Sequence, residues 1–335
     1  MDTLSKNTST YSSSVGIRLG RLTNKQGRLV KSFERIGDTF KSTAAATLWD
    51  GEIENVCINE LSELGSVIEA LKPNQALTLG YAPAALEKPV GICTKNNRRA
   101  GVIPRDQEHI VANTGGQQVL LDYDGKKISF DELRGMTIKA IPEMDNVAMF
   151  CIESSSAGVR LAEATDAESN KHGIHAYITI TKGSDMVLLR ELIEARLWQH
   201  GFGDIKLSSR GAVLERCLYD LSVFDPARIV FEARPVVGDG LVLVPRKSAY
   251  YPGQALDVQL LLKPTAPEAH LVDELKRAAK LEKEPEAEIL REAYRKEKYS
   301  ELKAIGVPDR VAWNTSRNLQ VHEIHATDWV QVLVC

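Results

Sequence analysis

The run Val119-Leu-Leu-Asp-Tyr-Asp-Gly125 puts two carboxylates, with one residue between them, at the end of an apolar stretch. On a β-strand alternate side chains share a face, so Asp122 and Asp124 stand side by side while Tyr123 points away. Their Cα atoms are then about 6–7 Å apart, for a rise of about 3.3 Å per residue. Such a pair cannot be left unpaired in a dry core. A hard divalent cation, Mg²⁺ or Mn²⁺, is its natural partner, and a strand-borne pair can serve two ions about 3.5–4 Å apart, the spacing used in phosphoryl transfer. By itself the Asp-x-Asp-Gly string is better explained by an exposed strand end entering a turn, because Asp and Gly are turn formers. Downstream residues shift that balance.

Two further constellations follow. Glu153-Ser-Ser-Ser-Ala-Gly158 precedes a polar insertion and then Lys171-His-Gly-Ile-His-Ala-Tyr-Ile178. A serine-rich loop leaving one strand and a histidine entering the next bring hydroxyls, backbone N–H groups and an imidazole together, the groups that hold a triphosphate. Ser154, Ser155, Ser156 and His175 are the candidates. His172 and His175 are three residues apart, which puts their rings on opposite strand faces and removes most support for a nuclease that needs both on one face. Farther on, Asp220 follows a hydrophobic residue and is the candidate third carboxylate. Asp225 precedes Pro226 and reads as a turn cap instead. Arg216 and Arg228 offer guanidinium groups for phosphate, or pair with the acidic cluster.

The elements that must position these residues run β (118–123), α (129–136, Ser129 as cap), β (147–152), β (173–181), α (185–200) and β (near 205–207). This is the βαββαβ order of the ferredoxin-like, or RRM-like, α+β fold. In it the first strand lies between the third and the fourth, so His175 would flank the aspartates on one side and residues after the fourth strand on the other. Residues 15–116 form an N-terminal α/β subdomain, with strands or loops near 15–19 and 25–35, a helix over 59–71 stopped by Pro73, and a strand at 76–80. Arg98 and Arg99 read as a solvated basic pair. Residues 117–263 are the catalytic part, so the core spans 15–263. Beyond Pro264 and Pro267 the chain is charged and helix-prone, over 268–283 and again over 285–305. Residues 321–334 read as a strand, and the apolar end Trp329-Val-Gln-Val-Leu-Val-Cys335 as the start of a following segment cut short. Residues 1–14, rich in Ser and Thr, read as a flexible tail.

With 335 residues, two domains are expected. A hydrophobic content of 43% and a charged content of 26% are those of a soluble globular chain, and a net charge of −3 requires any nucleic-acid contact to come from a local patch. Five cysteines without a Cys-x-x-Cys pair argue against structural zinc and against a disulfide framework. No signal sequence or long apolar run is present, so a cytoplasmic location without membrane contact is expected.

Asp122-Tyr-Asp124, Gly173-Ile-His175 and Tyr219-Asp220, in that order, resemble the Asp-hydrophobe-Asp, small-x-His and hydrophobe-Asp motifs of the archaeo-eukaryotic primase superfamily. The flanks Ser-Ser-Ser-Ala-Gly158 and Ser222-Val-Phe-Asp-Pro-Ala-Arg-Ile-Val-Phe-Glu232 resemble its primase-polymerase modules from plasmids, phages and integrated elements. The resemblance covers roughly residues 15–263. Gly173 stands where the family has serine, and residues 159–171 are a longer insertion. The resemblance implies a template-dependent nucleotidyltransferase that makes or extends primers on single-stranded DNA. Asp122, Asp124 and Asp220 would hold two Mg²⁺ or Mn²⁺ ions, and His175 would meet the phosphates of an incoming NTP or dNTP, with Arg216 and Arg228 as weaker helpers. A helicase domain or partner is a further implication. The alternatives are a non-catalytic nucleic-acid-binding replication initiator and a metal-dependent nuclease. RNA-binding sheets of this fold expose aromatics for base stacking, whereas here the same face carries aspartates, which favours the enzyme.

Overall fold

The run Ile17-Arg-Leu-Gly-Arg-Leu22, with Leu19 and Leu22 buried on its two faces, builds the first long strand of a computed structural model that describes residues 16–44, 47–164 and 172–318. Strand β1 (Ile17–Asn24) pairs antiparallel with β4 (Asp50–Ile58) along its whole length, from Ile17 opposite Ile58 to Asn24 opposite Gly51. With β5 (Gln75–Thr78), β6 (Val90–Cys93) and β7 (Val102–Pro104) they form a five-stranded sheet in the order β5-β1-β4-β6-β7. The hairpin β2 (Ser32–Ile36) and β3 (Thr39–Thr43) stands beside it as a separate small sheet, completed by β14 (Val236–Val237). The helix expected over 59–71 is shorter: a single 3₁₀ turn, Leu61–Glu63, leads into α1 (Leu64–Glu69). Its apolar positions Leu61, Leu64, Ile68 and Leu71 are buried as the spacing requires.

A second sheet carries the aspartates. Its order is β16-β9-β11-β8, from β8 (Gln117–Tyr123), β9 (Met149–Glu153), β11 (Ile174–Ile180) and β16 (Ser248–Tyr251). Strands β8 and β9 both run antiparallel to β11, which lies between them. Helix α2 (Phe130–Ala140) connects β8 to β9. It starts at the expected cap: the Glu132 carboxylate accepts from the Ser129 N–H (2.7 Å) and hydroxyl (2.9 Å), and the Glu132 N–H donates back to Ser129 Oγ (3.1 Å). On one face of this sheet Leu120, Phe150, Ile152 and Tyr177 enter a core shared with Leu19, Leu77 and the α1 residues. Both sheets therefore rest on one apolar cluster.

The fourth strand of the expected order is a correction. Strand β12 (Gly203–Leu207) forms a hairpin with β13 (Val213–Cys217) and does not join the β8 edge. The reason is local. Ser208 Oγ accepts from the Ala212 N–H at 2.9 Å and Gly211 takes φ +78°, so the turn closes on a partner a few residues away. The sheet gains β16 at its opposite edge instead. Within the region read as a polar insertion, β10 (Val159–Leu161) pairs with β15 (Leu241–Leu243) from much farther along the chain.

The chain divides into two units. The first takes residues up to Ile138, Pro142–Arg190 and Leu221–Leu261; the second takes Lys139–Ile141, Glu191–Asp220 and the chain from Leu262. In the second, α3 (Met186–Gln199) contributes its later turns, and Trp198, Ile205 and Val272 form a small core with Ala195, Val213 and Ala279. The Lys276 ammonium lies between Glu215, at 3.0 Å, and Glu194. The two helical stretches expected after residue 267 are one helix, α4 (Ala266–Ala304), which passes through Pro285. Proline removes the hydrogen bond to the carbonyl four residues back. That residue, Leu281, is exposed, so water can take its place. Arg291 bonded to Glu288 (2.8 Å) and Glu284, and Arg295 bonded to Glu288 (2.9 Å) and Glu292 (2.7 Å), support the turns that follow. A further helix, α5 (Asp309–Arg317), was not expected; its Trp313 meets Tyr299 edge-on at 6.0 Å. Among the described residues no helix is long and apolar enough to cross a membrane. The expected tail (1–14) and terminal strand (321–334) lie outside the described residues.

Candidate functional site

The register of β8 and β11 sets the geometry. His175 is the direct cross-strand partner of Asp122, and on its other side of Ile152. Opposed residues share a sheet face, so Asp122, His175 and Ile152 point the same way, with Leu120, Tyr177 and Phe150 two residues farther along that face. One end of the face is apolar and buried; the other is acidic and reaches solvent. Asp122 is half-buried, and Asp124, just past the strand end, is exposed. His175 Nε2 stands 3.5 Å from Asp122 Oδ1.

Two glycines are steric requirements of this end. A Cβ on Gly125 would lie 2.3 Å from the Tyr123 ring, which folds over the turn and donates its hydroxyl to the Lys126 carbonyl at 2.9 Å. Tyr123 thus braces the Asp-Gly turn from the face opposite the carboxylates. A Cβ on Gly173 would lie 2.9 Å from Ser154 Oγ, 3.0 Å from Ser154 Cβ and 3.2 Å from Asp124 Oδ1. Ser154, Gly173 and Asp124 therefore converge on one point, and the Ser154 N–H donates to the Gly173 carbonyl at 2.8 Å. Ser154 is buried, while Ser155 and Ser156 are half-exposed in the turn that follows.

Behind His175 lies a polar network. His175 Nδ1 meets Glu232 Oε1, the Tyr177 hydroxyl donates to the same oxygen, and Arg246 Nη1 donates to Glu232 Oε2 at 2.7 Å. The side chains of Glu232 and Arg246 are fully buried. Burial alone would raise the Glu232 carboxyl, but the His175 and Arg246 cations outweigh it and hold the group well below the usual carboxylate range. Burial likewise disfavours a charged imidazole, yet Glu232, then Asp122 and Asp124, raise His175 above its ordinary value. An ionised carboxylate only accepts, so His175 Nδ1 carries its proton toward Glu232. Tyr177, buried beside the same carboxylate, is held firmly protonated.

Glu232, Arg246 and Tyr177 escaped the sequence reading. Tyr177 carried a signal, being two residues after His175 and so on its strand face. Glu232 closed a flank that resembled the family but received no role there, and Arg246 carried no signal, because an antiparallel bridge between Leu77 and Val230 (2.8 and 3.1 Å) and the approach to β16 bring them in from distant chain. Of the other expected residues, Asp225 caps its own turn, accepting from the Ala227 N–H at 2.8 Å. Arg228 lies in that turn, near Arg105. Asp220 and Arg216 belong to the second unit, Asp220 as the last residue before the chain returns to the first, and Arg216 on β13 opposite Asp204. Arg98 and Arg99 pair with Asp106 (3.2 Å) and Asp50. His172, off the strand, is pulled below its ordinary value by burial and Lys127.

The donor set at the sheet end fits a hard cation: two carboxylates on one face, one of them exposed, with a hydroxyl beside them. Among the described residues, the set of three His, Cys, Asp or Glu whose donor atoms all lie within 4.8 Å of one another is a different one, Asp106, Glu108 and His109. There Asp106 Oδ1 already accepts from the backbone N–H groups of Glu108 and His109 at 3.2 Å and from His109 Nδ1 at 2.7 Å, which makes it a self-satisfied turn. No family model, no curated protein and no solved structure matches the chain.

Proposed function

We propose that the chain is a template-dependent nucleotidyltransferase of the primase-polymerase kind, making or extending primers on single-stranded DNA during replication of a mobile element. Its catalytic part would be an RRM-like core in which β8, α2, β9 and β11 form the split βαβ unit. The observation that carries the reading is the register pairing of His175 with Asp122, with Asp124 two residues on and Ser154 packed against Gly173 beside it. Motif spacing alone leaves open whether these residues meet; Asp122 and His175 are paired across β8 and β11, and Asp124, Ser154 and Gly173 stand just past the ends of these strands and of β9.

In this reading Asp122 and Asp124, with Asp220, hold two Mg²⁺ or Mn²⁺ ions. The place of Asp220 in that centre is carried by its motif, not by a distance. When bound, such ions lower the pKa of an attacking 3′-hydroxyl and neutralise the triphosphate. The chain's own contribution is orientation. His175 Nε2 faces the aspartate end and meets a phosphate oxygen of the incoming NTP or dNTP. Ser154, Ser155 and Ser156 offer hydroxyls and backbone N–H groups to the same triphosphate. A buried apolar floor of Leu120, Phe150 and Ile152 keeps water from the back of the site.

The test is incubation with a single-stranded DNA template, labelled NTPs or dNTPs, and Mg²⁺ or Mn²⁺, resolving products by length. Template-dependent products that vanish in Asp124→Ala support the reading. No incorporation with either metal rejects it, and template shortening without added triphosphate replaces it by a nuclease.

A further inference from the structure

We infer that Glu232 is a positioning residue that orients the His175 imidazole, and that Arg246 and Tyr177 hold Glu232 in turn. The inference rests on the nucleotidyltransferase reading for its kinetic consequence, but not for its geometry. His175 has two ring nitrogens, each within ion-pair range of one carboxylate, and the two contacts are not equivalent. Nδ1 is in hydrogen-bond contact with Glu232, whereas Nε2 is 3.5 Å from Asp122, within ion-pair range but outside the usual 2.7–3.2 Å of an N–H···O bond. The ring direction is therefore set from behind, by Glu232, and Nε2 is directed to where a phosphate oxygen would arrive.

Glu232 suits this task because it is held on every side. Both its oxygens are engaged, one by His175 and Tyr177 and the other by Arg246 at 2.7 Å. Its backbone follows the Leu77–Val230 bridge by two residues. Both Glu232 and Arg246 are fully buried, so water cannot substitute for a lost partner. Arg246 Nη2 reaches Glu69 at 3.6 Å, within ion-pair range, while Nε is buried without a hydrogen-bond partner. Packing alone is served as well by apolar side chains of similar volume, which are often neutral or stabilising in place of buried ions. An arrangement that keeps a fully buried ion pair, with one guanidinium donor unmatched, is better understood as a holder for the imidazole.

The experiment uses the full chain and three variants: Glu232→Gln, the neutral double variant Glu232→Met with Arg246→Met, and that double variant with His175→Ala added. The double variant guards against unfolding, since it removes the buried carboxylate and the buried guanidinium together. In the metal-free chain, ¹⁵N-edited imidazole spectra should show a slowly exchanging His175 Nδ1 proton that persists in Glu232→Gln, whose amide oxygen still accepts, and is lost in the double variant. In the incorporation assay the double variant should raise KM for nucleoside triphosphate about ten- to hundredfold, the worth of one charge-assisted hydrogen bond. Adding His175→Ala should raise it no further, because both changes remove the same contact. Additive effects, or a wild-type KM in the double variant, would mean that Glu232 only supports the fold and would overturn the proposal. If the wild-type chain incorporates nothing, the nucleotidyltransferase reading fails by itself. The imidazole spectrum then still decides the positioning claim: an Nδ1 proton retained in the double variant rejects it, and one lost sustains it.

Discussion

Gly173→Ala adds a single methyl group where three atoms already converge. The new Cβ would lie 3.0 Å from Ser154 Cβ and 2.9 Å from Ser154 Oγ, with Asp124 Oδ1 at 3.2 Å. Carbon atoms prefer separations of about 3.5–4.0 Å, so Ser154 Cβ must withdraw by roughly 0.5 Å. The hydroxyl can rotate away, but Cβ cannot, and the Ser154 N–H is tied to the Gly173 carbonyl at 2.8 Å. Overpacking of this kind costs about 1–3 kcal/mol, offset by about 0.4–1 kcal/mol from the stiffer unfolded chain. A net loss of about 1–2 kcal/mol lowers Tm by about 2–8 °C at about 2–4 °C per kcal/mol for a domain of this size. Thermal and urea unfolding without metal measure it. Ser154→Gly removes two of the three clashing atoms, so in the double-mutant cycle the pair should couple by about 1 kcal/mol. Incorporation should fall in Gly173→Ala, because Asp124 must turn aside, and recover in part in the double variant. A Gly173→Ala chain as stable as wild type, with no coupling to Ser154→Gly, would refute the convergence described for this corner.

Asp220→Asn should be as inactive in nucleotide incorporation as Asp124→Ala, while Asp225→Asn, which still caps its turn, keeps most activity; the reverse pattern moves the third carboxylate to Asp225. His175→Ala should weaken triphosphate binding about ten- to hundredfold with template affinity unchanged, and His172→Ala should do neither, as read by equilibrium binding of each ligand. The folded-state pKa of Glu232 is depressed, so its contribution to stability is present above the ordinary carboxylate value of about 4.3 and lost as pH falls through the folded one. The difference in urea unfolding free energy between wild type and Glu232→Gln should therefore be largest near pH 6, shrink below about pH 4, and shrink again as pH rises from about 6.5 toward 9, where His175, which Glu232 helps raise to about 9, loses its proton; a gap that widens in acid contradicts the assignment of charge.

What could be read from residues alone was whatever is encoded within a few positions. The strand period around Leu120–Asp122, the Ser129 cap and the apolar spacing of Leu61, Leu64 and Ile68 depend on neighbours in sequence, and each element formed. That His175 would flank the aspartates was legible from the strand order, whereas its direct pairing with Asp122 was not called from the sequence. The position of the fourth strand was not legible, because the Ser208–Gly211 turn offered β12 a nearer partner and no periodicity records that choice. Continuity of α4 through Pro285 was hidden for a related reason: a proline rule weighs one lost hydrogen bond, not the charged ladders on either side. Glu232 and Arg246 were invisible since a buried ion pair closed by distant loops has no spacing to detect.

Among the described residues, strand β8 ends its sheet: β11 is its ladder neighbour, and its other edge is met by the short turn Leu221–Val223 and not by a strand. A strand clamped along one side is more compliant than one clamped along both. The two halves of the site then differ in stiffness. The aspartates ride on the yielding edge and can close on arriving cations without disturbing the core, whereas His175, on an interior strand, keeps its position throughout. Amide hydrogen exchange should make the contrast visible, with β8 opening at lower free energy than β11 in the metal-free chain, and Mg²⁺ or Mn²⁺ slowing exchange in β8 far more than in its neighbour.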